Sequence, residues 1–226
     1  MSVIERQGVG FNSDLSNRVV LNTSEEIWKS SPSDGVNRLY LDRTDFSEYT
    51  SATSIVKFEK GSSFPSHAHP NGEEFYVLDG TFSDEYGHYP KGTYVRNPHG
   101  TCHNPYSKEG CKIFVKLRQF QKDDNTRIVK NVSQLWNIYN DEVDYINLHE
   151  YKNEIAYVVK FKPNSAISLP FRNVGGEEIL ILSGSVNENR HIYEAITWIR
   201  DPKRCFSQAH AGTTGVSLFV KSGHLF

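Results

Sequence analysis

Short β-branched and aromatic runs recur along the chain between clusters of glycine, proline, serine and asparagine. In the first half they are Thr53–Phe58 (TSIVKF), Glu74–Leu78 (EFYVL), Thr93–Arg96 (TYVR) and Ile113–Leu117 (IFVKL). In the second half they are Ala156–Phe161 (AYVVKF), Ile179–Leu182 (ILIL) and Val216–Val220 (VSLFV). Their lengths suit strands, and the residues flanking them suit turns. No long segment carries a helical period; Ser24–Lys29 and Val132–Tyr139 are expected to make a helical turn or two at most. Regular short strands separated by turn signals predict an all-β sandwich or barrel.

The pattern repeats. A shift of about 104 residues lays Gly72–Gly80 (GEEFYVLDG) on Gly176–Gly184 (GEEILILSG), and Tyr89–Pro98 on Tyr193–Pro202. With a one-residue adjustment Ile55–Phe58 falls on Val158–Phe161, and Ile113–Lys116 on Leu218–Lys221. Four matches in one order mark a tandem repeat of two all-β units. The polar stretch Gln119–Asn131 reads as the connector, which divides the chain into residues 1–120 and 121–226.

Composition narrows the function classes. The 226 residues are enough for one large domain or two small ones, with 25 lysines and arginines against 27 aspartates and glutamates. That balance offers no basic field to follow a nucleic-acid backbone. No apolar run approaches the ~20 residues that span a bilayer, and MSVIERQGVGF lacks a signal-peptide pattern. Three cysteines without CxxC spacing argue against a disulfide scaffold and point to a reducing, cytoplasmic setting.

Two stretches carry chemistry. In GSSFPSHAHPNGEEFYVLDG, His67 and His69 are two apart and share one face of a strand. Pro70–Asn71–Gly72 is turn chemistry that lets Glu73 face back toward the two imidazoles. In GTYVRNPHGTCH, His103 follows a Pro-His-Gly turn and arrives from a separate strand. Three imidazoles and one carboxylate make a nitrogen-rich site suited to zinc, iron, nickel or copper rather than magnesium or calcium. Four protein ligands can close a tetrahedral zinc site, or leave positions open on a six-coordinate ion. A lone histidine on a turn is usually just surface, and His88, His99, His149, His191, His210 and His224 take that reading.

These stretches resemble the two motifs of the cupin superfamily, G(X)5HXH(X)3,4E(X)6G and G(X)5PXG(X)2H(X)3N. Ser107 stands in place of the final asparagine, which leaves only local strand-end geometry in question. The segment from His67 to His103 is similar to the cupin domain of ChrR-like proteins over roughly residues 20–120, with a fainter echo from about 133 to 226. The resemblance implies two tandem double-stranded β-helix (jelly-roll) barrels. It also implies one divalent metal, zinc first with iron or nickel as alternatives, on His67, His69, Glu73 and His103. ChrR itself adds an anti-sigma zinc domain with a His/Cys motif; no HxxxCxxC occurs here.

In the second copy the ligand positions become Pro170, Arg172, Glu177 and Ser207, so that barrel is expected to lack metal. An inward glutamate without a metal is a costly charge, and Arg172 is a possible counter-ion for Glu177. Phe75 and Val77, on the face of Glu73, are expected to form the apolar wall of the pocket. Cys102 reads as a small buried hydrophobe, or else as a redox-sensitive thiol. Arg96 and Arg200 recur in both copies and read as architectural. Three functions fit: a dioxygenase-type enzyme on a small, largely apolar oxygenated compound, a ChrR-type sensor, or a structural zinc protein. A small-molecule ligand and a homodimer are the expected partners, with no nucleic acid and no membrane.

Overall fold

The computed structural model describes residues 10–45, 50–133, 136–171, 174–203 and 208–225. Among the described residues there is no helix. The strands of the first half are β1 (Val19–Asn22), β2 (Lys29–Ser30), β3 (Val36–Arg43), β4 (Ala52–Phe58), β5 (His67–Ala68), β6 (Glu73–Asp84), β7 (Gly87–Pro90), β8 (Thr93–Asn97), β9 (Cys102–His103) and β10 (Cys111–Leu117). Those that follow are β11 (Ile128–Asn131), β12 (Asn137–Asn140), β13 (Val143–Tyr151), β14 (Glu154–Phe161), β15 (Glu177–Glu188), β16 (His191–Glu194), β17 (Thr197–Asp201) and β18 (Ala209–Ser222). Every strand expected from the apolar runs is present. Neither expected helical turn is present among the described residues: Lys29 and Asn137–Tyr139 lie in strands β2 and β12. Exposed Ile138 and Tyr139 there alternate on a strand edge that pairs with β13.

Each repeat builds the same ladder. In the first, the order is β11-β8-β6-β10-β4-β3-β2, with β7 pairing β6 and a small β5-β9 sheet beside it. In the second, the order is β1-β17-β15-β18-β14-β13-β12, with β16 pairing β15. The end strands are exchanged. β1 comes from the first repeat yet pairs with β17, Val19 opposite Arg200. β11 comes from the second yet pairs with β8, Ile128 opposite Arg96. The compact units therefore differ from a simple division at residue 120. One holds Ile27–Asn131 with the described part of Met1–Asp14; the other holds Leu15–Glu26 and Val132–Phe226. The physical reason is edge pairing, because each four-residue end strand satisfies the open backbone of β8 or β17.

Inward positions of the first barrel are apolar: Val56, Phe75, Val77, Phe82, Val95 and Ile113 belong to one buried cluster. A register irregularity between Lys112 and Ile113 on β10, opposite Val77–Asp79 of β6, changes the parity of β6. Glu73, Phe75 and Val77 face inward before it, and Phe82 and Asp84 are buried after it. The motif glycine Gly80 sits at this point with φ +68°, and a Cβ there would lie 2.1 Å from the Gly110 carbonyl oxygen. Its repeat counterpart Gly184 has φ +75° and the same obstruction from Gly215 at 2.0 Å. The close crossing, more than the turn, requires glycine at both places.

The repeated arginines are buried within this frame. Arg96 is fully buried, 3.5 Å from Glu74, 2.8 Å from Asp124, and stacked 3.6 Å from the centre of the Phe120 ring. Glu74 also accepts a hydrogen bond from the Tyr94 hydroxyl at 2.7 Å. The second copy repeats the device, with Glu178 opposite Arg200 and the Trp198 indole donating to Glu178 at 2.8 Å. Removing one member of such a group strands a charge in low dielectric. Asp124→Ala is therefore expected to lower stability by about 3 kcal/mol, read as a shift in the urea midpoint at constant slope. An unchanged midpoint would refute the architectural assignment of Arg96.

Candidate metal centre

His67 and His103 face each other in the β5-β9 pair. The His69 amide donates to the Thr101 carbonyl at 2.9 Å, which ties the end of β5 to the loop before β9. Asn71 and Gly72 then take positive φ, 60° and 80°, and turn the chain into β6. Glu73 thus starts β6 facing the imidazoles, as the turn chemistry implied. The ring centres of His67, His69 and His103 lie 4.5–5.2 Å from one another. One ligand atom from each of His67, His69, Glu73 and His103 fits in a cluster with all separations within 4.8 Å. The structure brings all four sequence-identified residues together.

Hydrogen bonding decides which ring nitrogens face the centre. His67 Nδ1 lies 2.9 Å from the Pro65 carbonyl oxygen, which can only accept, so Nδ1 carries the proton. His69 Nδ1 lies 2.8 Å from the Thr101 hydroxyl, whose own proton is donated to the Pro98 carbonyl at 2.7 Å. That hydroxyl must therefore accept from His69. His103 Nδ1 lies 3.3 Å from a carboxylate oxygen of Asp84. In all three neutral rings the lone pair is left on Nε2. Glu73 Oε1 is 3.6 Å from Nε2 of both His69 and His103, beyond hydrogen-bond range and close to the ~3.4 Å between two ligands of one tetrahedral ion. His69 Nε2 is buried with no hydrogen-bond partner among the described residues. An orphaned buried lone pair beside a carboxylate fits a cation better than any protein donor.

The surroundings tune these groups in opposite directions. Burial holds the His69 imidazole below its ordinary value, aided by His103 and His67 and against the pull of Glu73. For His103, burial works in the same sense, but the Asp84 hydrogen bond and the charges of Glu73, Asp84 and Glu85 outweigh it and raise its proton affinity. Asp84 is kept ionised: burial opposes this, while the bonds from His103, the Tyr86 amide and the Tyr89 hydroxyl prevail. Asn97 Nδ2 approaches Glu73 Oε1 at 3.5 Å from the next strand.

Several expectations change. Phe75 and Val77 are buried in the apolar cluster rather than lining the cavity; Phe82, Val56, Phe58, Ile113 and Val115 form its wall. The parity change on β6 after Val77 is what brings Phe82 to that wall. Cys102 is exposed beside buried His103, so it is not a buried hydrophobe. His149 is buried and His224 half-buried, its Nε2 3.0 Å from Glu178, so neither fits the surface reading. Ser107 replaces the motif asparagine without disorder, its hydroxyl donating to the Thr81 carbonyl at 2.7 Å. Asp84 and Thr101 were not found from sequence. Thr101 stood within the second motif, two places before His103, but strand alternation would have placed Asp84 outside. In the second barrel Pro170 is half-buried and Glu177 fully buried, while Arg172 and Ser207 lie outside the described residues. The interior there carries Tyr157, Ile167 and Leu169 with Phe171 against them.

The family model for the ChrR cupin-like domain matches residues 16–121 and again 125–226. No curated protein sequence matches the chain. Solved structures share the fold at low identity. A candidate dioxygenase of Nostoc punctiforme PCC 73102 superposes with TM-score 0.72 and 15% identity over 98% of this chain and 85% of that one. The pirin YhhW of Escherichia coli, in complex with nickel(II), gives 0.65 and 14% over 91% and 99%. An oxalate decarboxylase OxdC variant of Bacillus subtilis gives 0.56 and 12% over 91% and 77%. Nitrogen-15 spectra of the metal-free chain at mildly alkaline pH are expected to show the Nδ1–H tautomer at His67, His69 and His103. An Nε2–H form at any of them would contradict the inferred bonding.

Proposed function

Because the chain belongs to the ChrR cupin-like family, with a family domain in each half, we propose that its first barrel holds one divalent transition metal. His67, His69, Glu73 and His103 are the ligands, and the site serves a reaction on a small oxygenated molecule. The single observation that carries this reading is the set of three imidazoles whose Nδ1 atoms are all bonded outward. Outer partners of this kind fix tautomer and ring orientation at metal sites. A nitrogen-rich set with one carboxylate selects zinc, iron or nickel over harder ions.

When bound, the metal supplies a Lewis acid, or an oxygen-activating centre if it is iron. The chain's own residues do the rest. Asp84 holds the His103 ring and raises the basicity of its Nε2, and Thr101 does the orienting part for His69. A cavity of about 460 Å³ reaches His67, His69, Glu73 and His103, which supports a ligand-accessible site over a closed structural staple. Its wall of Val56, Phe58, Phe82 and Ile113 excludes water from the carbon skeleton of a bound molecule. A dioxygenase-type reaction is the activity we assign.

The test begins with elemental analysis of natively purified chain, expected at one equivalent of metal. His103→Ala is expected to lose it with the fold kept. Asp84→Asn keeps every ligand yet is expected to weaken affinity 10–100-fold, measured by competition with a chromophoric chelator. Oxygen uptake with small β-dicarbonyl and aromatic ketone compounds then tests the reaction. Protein that takes no metal at any of these steps refutes the metal centre; loaded protein without uptake refutes the oxygenase assignment.

A further inference from the structure

The cavity that reaches the candidate metal centre has a second polar feature on its opposite strands. Arg38 and Tyr40 of β3 line it, and the irregularity after Tyr40 returns Arg43 to the same cavity. Arg118, just past β10, lines it as well. Three guanidiniums therefore face a space whose lining contains one carboxylate, Glu73. Two of the three are held by the chain. Arg43 donates to the Asp45 carbonyl at 2.7 Å and to the Tyr40 hydroxyl at 3.3 Å, and Arg118 donates to the Thr50 carbonyl at 3.3 Å. Among the described residues the Arg38 side chain makes no hydrogen bond or ion pair.

The second barrel acts as an internal control. Val36 opposite Phe58 and Val143 opposite Phe161 set the same register, which equates Arg38 with Tyr145 and Arg43 with Glu150. Leu117 opposite Ala52 and Ser222 opposite Ile155 equate Arg118 with Gly223. None of the three cavity arginines is kept, whereas the architectural pair Arg96 and Arg200 is. Tyr145 instead packs on Phe171, ring centres 5.0 Å apart. Arg118 has φ 59°, a left-handed conformation that its counterpart Gly223 adopts freely at 82°. The barrel stands without these arginines, and one of them occupies a place where glycine costs less.

Resting on the metal centre proposed above, we infer that this cavity binds a small organic carboxylate, its carboxylate group on Arg38 with Arg43 and Arg118 adjacent, its other oxygen directed to the metal ligands. A guanidinium fork matches a carboxylate through two parallel bonds. A guanidinium held by burial away from water without a carboxylate against it, as at Arg38, is costly, and a bound acid relieves that cost. Burial holds the Arg38 guanidinium below its ordinary value, with Arg43 and Arg118 adding to this and Tyr40 and Glu73 opposing it. The apolar wall and the 460 Å³ volume limit the occupant to a compact carbon skeleton. An acid with an oxo or hydroxy group next to the carboxylate has oxygens for both ends.

Calorimetric titration of the full chain with pyruvate and phenylglyoxylate, and with their methyl esters, tests the assignment. At least one acid is expected to bind at least tenfold more tightly than its ester. Arg38→Gln is expected to erase that preference, with ester binding unchanged, and Arg38→Lys to restore part of it. Equal binding of acid and ester, or an acid preference that survives in folded Arg38→Gln, overturns the inference. So does inorganic phosphate bound as tightly as either acid. Should Arg38→Gln not fold, the comparison of acid with ester on the unaltered chain decides. Metal content measured on each sample, and titration after chelation, keep the readings apart: an acid preference without metal leaves the anion subsite standing while the metal centre falls.

Discussion

Three imidazole N–H groups are each committed to a fixed acceptor outside the ring cluster, and the first barrel is organised around that constraint. Pro65, Thr101 and Asp84 take the Nδ1 protons, so every ring presents Nε2 to one small volume. The acceptors come from three different parts of the chain: the loop before β5, the loop before β9, and the end of β6. A shift in any of those segments would turn a ring or exchange its tautomer. The barrel is rigid where the chemistry needs it, because the loops bearing the ligands are bonded to one another through backbone groups such as His69 and Thr101.

The two halves show what the same frame does with and without that constraint. Strand order, the Gly80 and Gly184 crossings and the buried Glu-Arg pairs on β6-β8 and β15-β17 are common to both. The interiors differ. The first keeps polar donors and a cavity; the second places Tyr157 inside, with its hydroxyl bonded to the Phe171 carbonyl at 3.0 Å. Tyr145, packed on Phe171, stands where the first barrel holds Arg38. A frame stabilised by its ladders and buried pairs tolerates either filling.

Much of the fold was legible in the sequence because apolar runs and turn residues act locally. The motif spacing identified the four candidate ligands for the same reason: a strand, a two-glycine-compatible turn and a second strand are set by neighbouring residues. What stayed hidden depended on pairing over long distances. The parity of β6 changes at an irregularity defined by its partner β10, so alternation counted from Glu73 would put Asp84 and Phe82 on the outer face. Arg38 and Arg43 sit in VNRLYLDR, where charged residues alternating with leucines read as a solvated face. The burial of His149 depends on tertiary packing and leaves no local trace.

The exchange of β1 and β11 carries a consequence for how the chain is made. The first barrel's sheet is incomplete until Asn131 has left the ribosome, well after its last motif residue. The segment Val19–Asn22, made before either barrel's core strands, has no ladder to join until β17 is synthesised much later. Neither repeat, cut at its own sequence boundary, contains its whole sheet. Duplication produced two similar sequences, but the unit that can be inherited, moved or deleted without leaving an open edge is the pair.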